Sequence, residues 1–288
     1  MPDWTIRLIE TVEEMTGVEA LQRLTWPGSE TDVIPAHMLL AVVHNGGLAL
    51  GAYMTGARQD SPLLIGVVFG FPGFYETPDG PRLKHHSHIL AVHPDWRSKG
   101  VGFALKRAQW QMVRRQGLDR VTWTYDPLLS RNAHLNIARL GAVCNTYRRT
   151  EYGKMRDGLN AGLPSDRFQV DWWVNSKRVE RRLSRRARPL LTLDQVFPTK
   201  ALLLEASRVR GVVRPPVGFP ECTGSLVLIE IPDDFTSIKE ADLALARDWR
   251  FYSREIFETA FTAGYLVTDF VHDGGRSFYI LTHGESTF

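Results

Sequence analysis

Strands and helices alternate along the whole chain and predict an α/β (α+β) protein, a reading that rests on three observations. Residues Arg120–Tyr125 alternate Val121, Trp123 and Tyr125 with Thr122 and Thr124, the period of a half-buried strand. Two capping boxes, Thr11-Val12-Glu13-Glu14 and Ser237-Ile238-Lys239-Glu240, each precede an apolar-periodic run, which marks a helix start. Between them the apolar strand Ile89-Leu90-Ala91-Val92 passes through His93-Pro94-Asp95-Trp96 into a glycine-bearing turn, Arg97-Ser98-Lys99-Gly100-Val101-Gly102, and then the helix Phe103–Gln116.

The elements follow in order. Thr5–Ile9 reads as a short strand, and the helix opened by Thr11 carries Met15, Val18, Leu21 and Leu24 on one side. A second helix, Pro35–His44, begins at a proline and ends at the turn Asn45-Gly46-Gly47. Strands are expected at Leu48–Thr55, Leu63–Phe71 and Leu83–Val92, the last entered through Asp79-Gly80-Pro81. After the glycine turn and its helix come the strand Arg120–Tyr125, a helix Asn132–Leu140 closed by Gly141, and strands Ala142–Thr150 and Phe168–Val174. Beyond Pro189, strands Leu202–Ser207 and Leu226–Ile231 flank a loop holding Pro215, Pro216 and Pro220. A long helix from Ser237 to Gly264 presents Leu245, Trp249, Tyr252, Ile256 and Ala260 on one face, and Tyr265–Val271 and Ser277–Thr282 form a hairpin across Asp273-Gly274-Gly275. Ile231-Pro232-Asp233 and Val267-Thr268 echo His93-Pro94-Asp95 and Val121-Thr122. The C-terminal part therefore reads either as a half-copy of the first domain without its glycine turn or as a generic strand–helix–strand unit. The expected domains are 1–176, a basic linker helix over 177–189, and a smaller α+β region over 190–288.

Composition narrows the class. The chain has 288 residues, 43% hydrophobic and 23% charged, which is ordinary for a globular protein with a sizeable core. Cys144 and Cys222 lie far apart and outside any metal-ligand spacing, so a reduced, cytoplasmic protein without a metal is expected. The start shows no basic-then-apolar signal pattern, and the apolar run 62–74 is too short and too broken by Pro and Gly to cross a bilayer. A net charge of +3 conceals one local excess: residues 177–188 hold seven basic side chains against Glu180 alone, around a narrow stripe of Val179, Leu183 and Ala187. That stretch reads as a solvated helix face bridging two domains, or as a surface for phosphate or nucleic acid. No aromatic residue interleaves it, which argues against a nucleic-acid partner.

The glycine turn points a row of backbone N–H groups and a helix start at one place, an arrangement that favours phosphate oxygens. Gly100 and Gly102 let the main chain approach a pyrophosphate closely, and Arg97 and Lys99 add positive charge there. The G-x-G-x-x-G dinucleotide spacing is missing.

With strand, turn, helix, strand and Asn-bearing helix in this order, residues 5–174 resemble the GNAT superfamily of N-acyltransferases. Arg97-Ser98-Lys99-Gly100-Val101-Gly102 fits that family's acyl-CoA motif, Gln/Arg-x-x-Gly-x-Gly/Ala. The subgroup it resembles carries an extra C-terminal region. The resemblance implies a GNAT-type mixed, mostly antiparallel sheet flanked by helices, with acetyl-CoA or another acyl-CoA as co-substrate. It implies that the N–H groups of Ser98, Lys99, Gly100, Val101, Gly102 and Phe103 bind the CoA pyrophosphate. The main chain of Leu90, Ala91 and Val92 would pair with pantetheine, parting from the strand after the helix, and the N–H of Val92 would face the thioester oxygen.

An alkylammonium attacks a thioester only after a base or a water relay removes its proton. Strand alternation places His86, His88, Leu90 and Val92 on one face and His85 and Ser87 on the other. His86 falls where many members of the family keep a glutamate base, and an imidazole near neutral pKa serves the same purpose. The family's thiolate-protonating tyrosine is Ile137 here, leaving Tyr125, Tyr147 and bulk water open as the acid. Asn132 and Asn136, a helical turn apart, read as pantetheine ligands or as capping and surface residues. Arg250 and Arg254, also a turn apart, read as holders of an acceptor carboxylate or as exposed helix charges. The expected activity is transfer of acetyl, or another short acyl group such as succinyl, to a primary amine of a small molecule. Family analogy suggests an amino acid. Attack is direct, because neither cysteine lies in the motif region. The alternative is a non-catalytic acyl-CoA sensor, and the C-terminal region is expected to close over the acceptor site.

Overall fold

The computed structural model describes residues 3–28, 30–55, 63–153, 162–184, 189–197, 199 and 201–283. Its internal contacts divide the chain into two compact units. The first runs from the N-terminus to Trp123 and takes back Trp173–Asn175; the second holds the rest of the described chain. The division thus falls inside a strand rather than at the basic segment.

The first unit contains β1 (Trp4–Leu8), α1 (Val12–Thr25), α2 (Ala36–His44), β2 (Leu48–Met54), β3 (Leu64–Tyr75), β4 (Arg82–Val92), α3 (Val101–Arg115) and β5 (Arg120–Tyr125), whose last two residues pass into the second unit. Strands β1 to β4 pair antiparallel in that order and β5 runs parallel to β4. The Thr11 capping box forms, with Glu14 bonding back to the start of α1. Met15, Val18 and Leu21 of α1 join Leu39, Val67, Phe69, Ile89 and Ala91 in one apolar cluster on that face of the sheet. Leu24 is exposed, and Gln22 is buried in its stead, exchanging bonds of 3.0 and 3.1 Å with the main chain of Ile34.

The second unit contains α4 (Ser130–Ala133), which continues as a π-helical turn over His134–Arg139, then β6 (Val143–Arg148), β7 (Arg167–Trp173), α5 (Lys177–Leu183), α6 (Leu193–Val196), β8 (Leu202–Leu204), β9 (Ser207–Val209), β10 (Val212–Arg214), β11 (Leu226–Ile231), α7 (Phe235–Ala241), α8 (Leu243–Thr262), β12 (Leu266–Asp273) and β13 (Arg276–Thr282). Neighbouring strands follow the order β7-β6-β12-β13-β11-β8, and β9–β10 is a separate hairpin. Only the β11–β8 pair among these is parallel.

Several expectations are corrected here. The late helix is two helices, because Asp234 caps α7 and Asp242 caps α8; Ser237 lies inside α7, donating to Asp234 rather than opening a helix. The strand expected at Leu202–Ser207 breaks where the Ala206 N–H turns aside to the carboxylate of Glu230 at 2.8 Å. The basic segment is not a solvated bridge in its described part. Arg178 donates to the carbonyls of Gly141 (3.0 Å) and Thr268, Arg182 pairs with Asp269, and Val179 and Leu183 are buried. Arg185, Arg186 and Arg188 lie outside the described residues.

The sequence echo also takes a different register. In β11, α8, β12 and β13, the second hairpin strand β13 lies between β11 and β12. The end of β5, then α4, β6 and β7, follows the same course, with Tyr125 edge-on to Phe168 of β7 at 5.9 Å. By course, β11 answers to β5, not to the strand that feeds the glycine turn.

Candidate functional site

The glycine turn is built to present main-chain donors. Ser98 (φ +62°) and Gly100 (φ +84°) both adopt left-handed conformations around Lys99, curling the chain before α3. Alternation of that kind gathers successive N–H groups into an anion-binding concavity. α3 starts at Val101, two residues before the expected Phe103, with Gly100 as an N-cap that supplies no side chain. The first helical bond is from Ala104 N to Gly100 O (3.0 Å), so the N–H groups of Val101 and Gly102 precede it. A Cβ on Gly100 would meet nothing within 4 Å, which leaves the turn open at that residue. Arg97 and Lys99 are exposed, the latter with its ammonium 4.8 Å from the Trp96 ring centre. A CoA diphosphate fits this turn.

The strands behind it fork. β4 pairs with β5 at His85–Val121 and His86–Thr122, and among the described residues no further pair joins them. On its other edge β4 remains bonded to β3 as far as Val92–Gly66. The His93 N–H donates to Ile65 O of β3 at 2.9 Å, so alternation turns the N–H groups of Leu90 and Val92 to the edge that β5 has left. Leu90, Ala91 and Val92 thereby offer a strand edge to an extended ligand.

A bulge changes the faces. Pairing of β4 with β3 shifts between Ser87–Gly70 and Ile89–Phe69, leaving His88 as the extra residue. His86 and His88 therefore share the α1/α2 face with Phe69, Phe71 and Ile89. Phe71 lies 5.2 and 5.8 Å from the two imidazoles, which are 5.8 Å apart. His85, Ser87, Leu90 and Val92 face α3: His85 presses on Gly70, where a Cβ would come within 2.2 Å of its Nε2, and Leu90 and Val92 lie under Gly102. The expected grouping of His86 and His88 with Leu90 and Val92 is thus corrected, the bulge having slipped the alternation by one residue.

His88 is exposed and His86 half-buried, its Nδ1 3.5 Å from Thr122 Oγ1. Burial, with the nearby charges of His88, Lys84 and Lys106, lowers His86 to about 4, so its ring is neutral near pH 7. Beneath them lies a polar group that sequence reasoning missed. Lys106 Nζ donates to Ser87 Oγ and Gln109 Oε1, both at 2.9 Å, and sits 3.7 Å from the Trp123 ring centre; Gln109 Nε2 meets His85 Nε2 at 3.1 Å. Burial holds Lys106 well below the ordinary lysine range and His85 at about 3. One signal was available: Gln109 stands four residues after Leu105 and four before Val113, on the buried stripe of α3.

The remaining candidates belong to the second unit. Asn132 is half-buried and Asn136 buried, the intervening π-helical turn breaking the expected common face. Ile137 is fully buried. Tyr125 OH lies 3.0 Å from Tyr279 OH and Tyr147 OH donates to Asp166 at 3.0 Å; burial raises both phenols, so both stay protonated. Neither reading of Arg250 and Arg254 holds. Arg250, 1% exposed, is paired with Asp126, and Arg254 bonds Asp166 at 2.8 and 2.9 Å, leaving neither for an acceptor carboxylate. Both cysteines are free thiols, and burial raises Cys144. Among the described residues no helix is long and apolar enough to cross a membrane, and no His/Cys/Asp/Glu group is arranged to hold a metal.

No curated protein matches the chain significantly in sequence. Similar solved structures include the ribosomal-protein-S5-alanine acetyltransferase from Vibrio fischeri (16% identity, 61% of this chain and 95% of that one, TM-score 0.46). A GNAT-family acetyltransferase from Streptococcus pneumoniae is similar over 58% of this chain and 97% of its own, at 14% identity and TM-score 0.43. An aminoglycoside acetyltransferase from an uncultured soil metagenomic sample, solved with sisomicin, covers 43% of this chain and 79% of its own, at 15% identity and TM-score 0.36. The model of the acetyltransferase (GNAT) family matches residues 19–141, which span α1 through the glycine turn to Gly141. Over residues 19–141 the chain is therefore similar to the acetyltransferase (GNAT) family.

Proposed function

We propose that the chain moves a short acyl group, acetyl or succinyl, from acyl-CoA to the primary amine of a small molecule, with amino acids as the first acceptors to try. The observation that supports this reading is the fork of β4 from β5 after His86–Thr122, beside a turn of main-chain donors at the start of α3. The diphosphate lies on Ser98, Lys99, Gly100, Val101, Gly102 and Phe103, and pantetheine extends along the β4 edge at Leu90–Val92. The amine attacks the thioester carbonyl carbon directly. The Val92 N–H stabilises the oxyanion, the C–S bond breaks, and the leaving thiolate takes its proton from bulk water. The proton lost by the amine goes to His88, directly or through water, with neutral His86 beside it.

The test follows free thiol from acetyl-CoA and succinyl-CoA with a panel of amines, amino acids and short peptides. The His86→Ala/His88→Ala double variant is expected to lower turnover about 100-fold or more, with CoA affinity within about twofold, since neither side chain lies in the turn. Unchanged turnover removes the base assignment. Thiol release with peptides but with none of the small amines removes the small-molecule acceptor.

A further inference from the structure

We propose that the carboxyl end of β11, in the second unit, forms part of a second small-molecule site for an apolar zwitterion: a free amino acid with an aliphatic or aromatic side chain. Ligands of open sheets settle in the crevice outside the carboxyl ends of parallel strands, where backbone groups lose their neighbours. β8 and β11 are parallel, and their register runs from Leu202–Val227 to Leu204–Ile229 and stops. At the β11 end of this pair, beyond Ile231, a cavity of about 490 Å³ opens between the β9–β10 hairpin, the β11–α7 turn and the start of α8. That volume lies in the ordinary range for small-molecule pockets, roughly 300–1,000 Å³.

The walls are held by buried bonds. Glu230, 1% exposed at its side chain, receives Arg276 at 2.8 and 2.9 Å, Arg208 at 2.5 Å and the Ala206 N–H at 2.8 Å. Trp249 Nε1 of α8 donates to Val213 O at 3.1 Å, anchoring the hairpin from the other side. Val212, Ile231, Ile238 and Leu245 supply an apolar lining.

Charge selects the ligand. Asp234 has both oxygens engaged by Ser237, so a carboxylate already sits at the start of α7 and a phosphate is disfavoured there. Asp233 accepts from Ser277 Oγ on Oδ1, with His272 Nδ1 3.0 Å from the same oxygen, and Asp242 accepts from Leu245 N on Oδ1. Both residues line the cavity, and among the described residues neither Oδ2 atom has a hydrogen bond or ion pair. Arg214, also in the lining, is exposed and has no hydrogen bond or ion pair from its side chain among the described residues, whereas Arg208 is neutralised by Glu230. One cation and two carboxylates in one apolar-lined cavity fit an ammonium and a carboxylate on one small apolar body.

The site is independent of the acyl-transfer reading, and its test uses no CoA. Binding of L-phenylalanine to the full chain is measured by calorimetry and saturation-transfer NMR beside hydrocinnamate, which lacks the ammonium, and phenethylamine, which lacks the carboxylate. Saturable binding of L-phenylalanine, at least ten-fold tighter than either analogue, is expected. Arg214→Ala should weaken L-phenylalanine at least ten-fold and leave phenethylamine unchanged, and Ala241→Trp, which fills the cavity, should abolish both. Gly100→Val should change neither. Absence of L-phenylalanine binding to the wild type overturns the proposal. So does binding that survives both cavity variants, because the amino acid is then held elsewhere, as an acceptor would be. Arg214 is exposed, so its variant stays interpretable if Ala241→Trp does not fold.

Discussion

Arg250 of α8 grips Asp126, just past the end of β5, through both terminal nitrogens: Nη1 donates to Oδ1 at 2.9 Å and Nη2 to Oδ2. The side chains are 1% and 11% exposed, so the pair is fork-to-fork and almost dry. Removing one partner of such a pair leaves a buried charge uncompensated, which costs about 3–5 kcal/mol. Arg250→Ala and Asp126→Ala should each lower the urea midpoint by a corresponding amount without changing its slope. The Arg250→Met/Asp126→Leu double variant should be more stable than either single one. If the single costs simply add, the two residues are not coupled.

That pair also shows where sequence reasoning stops. Arg250 and Arg254 stand a helical turn apart, and that much is legible; their partners lie 124 and 88 residues earlier, and no local pattern announces them. Features fixed by neighbouring residues were legible: the Thr11 capping box, β11 at Leu226–Ile231, and the glycine turn leading into α3. The bulge at His88 was not. Burial still alternates from His85 to Ala91, but the buried residues change faces midway, and only the pairing with β3 reveals it. The glycine turn and the β4 strand were therefore legible as main chain, and the faces of the β4 side chains were misassigned.

His85 gives a pH prediction with a definite sign. Burial first, then the charges of Lys106 and His86, lower its imidazole from 6.5 to about 3. The unfolded chain binds a proton near pH 6.5 that the folded ring refuses until about pH 3. The stability it contributes is therefore complete above pH 6.5 and is lost as pH falls through that window. The loss is on the order of a few kcal/mol. Thermal midpoints recorded from pH 7 to pH 4 should fall for the wild type and fall less for His85→Gln. Parallel curves would show that His85 is protonated in the folded protein.

Gly100 separates backbone strain from steric access. With φ at +84° and open space where a Cβ would go, Gly100→Ala creates no clash in the free protein. It forces a left-handed alanine, costing roughly 1–2 kcal/mol, and puts a methyl group into the opening of the turn. Stability should fall by that amount, while CoA affinity, measured by calorimetry, falls at least ten-fold. Gly117, at φ +76° and equally open, is the control: Gly117→Ala should lose similar stability and retain CoA affinity. Equal losses of affinity in both variants would detach the turn from the cofactor.

The same carboxylates decide whether residues 1–176 stand alone. Asp126 depends on Arg250 and Asp166 on Arg254, and Arg149 is paired with Glu258, all from α8. β6 has β12 along one edge, joined at Cys144–Val267. Cutting the chain after residue 176 strips partners from two half-buried or buried carboxylates and bares a strand edge, each of which favours aggregation over folding. The fragment is expected to be insoluble or to unfold without a cooperative transition. Asp126→Leu/Asp166→Leu should recover part of its solubility by removing the stranded charges. A monodisperse 1–176 fragment that melts cooperatively would show that the C-terminal region is an appendage rather than part of the folding unit.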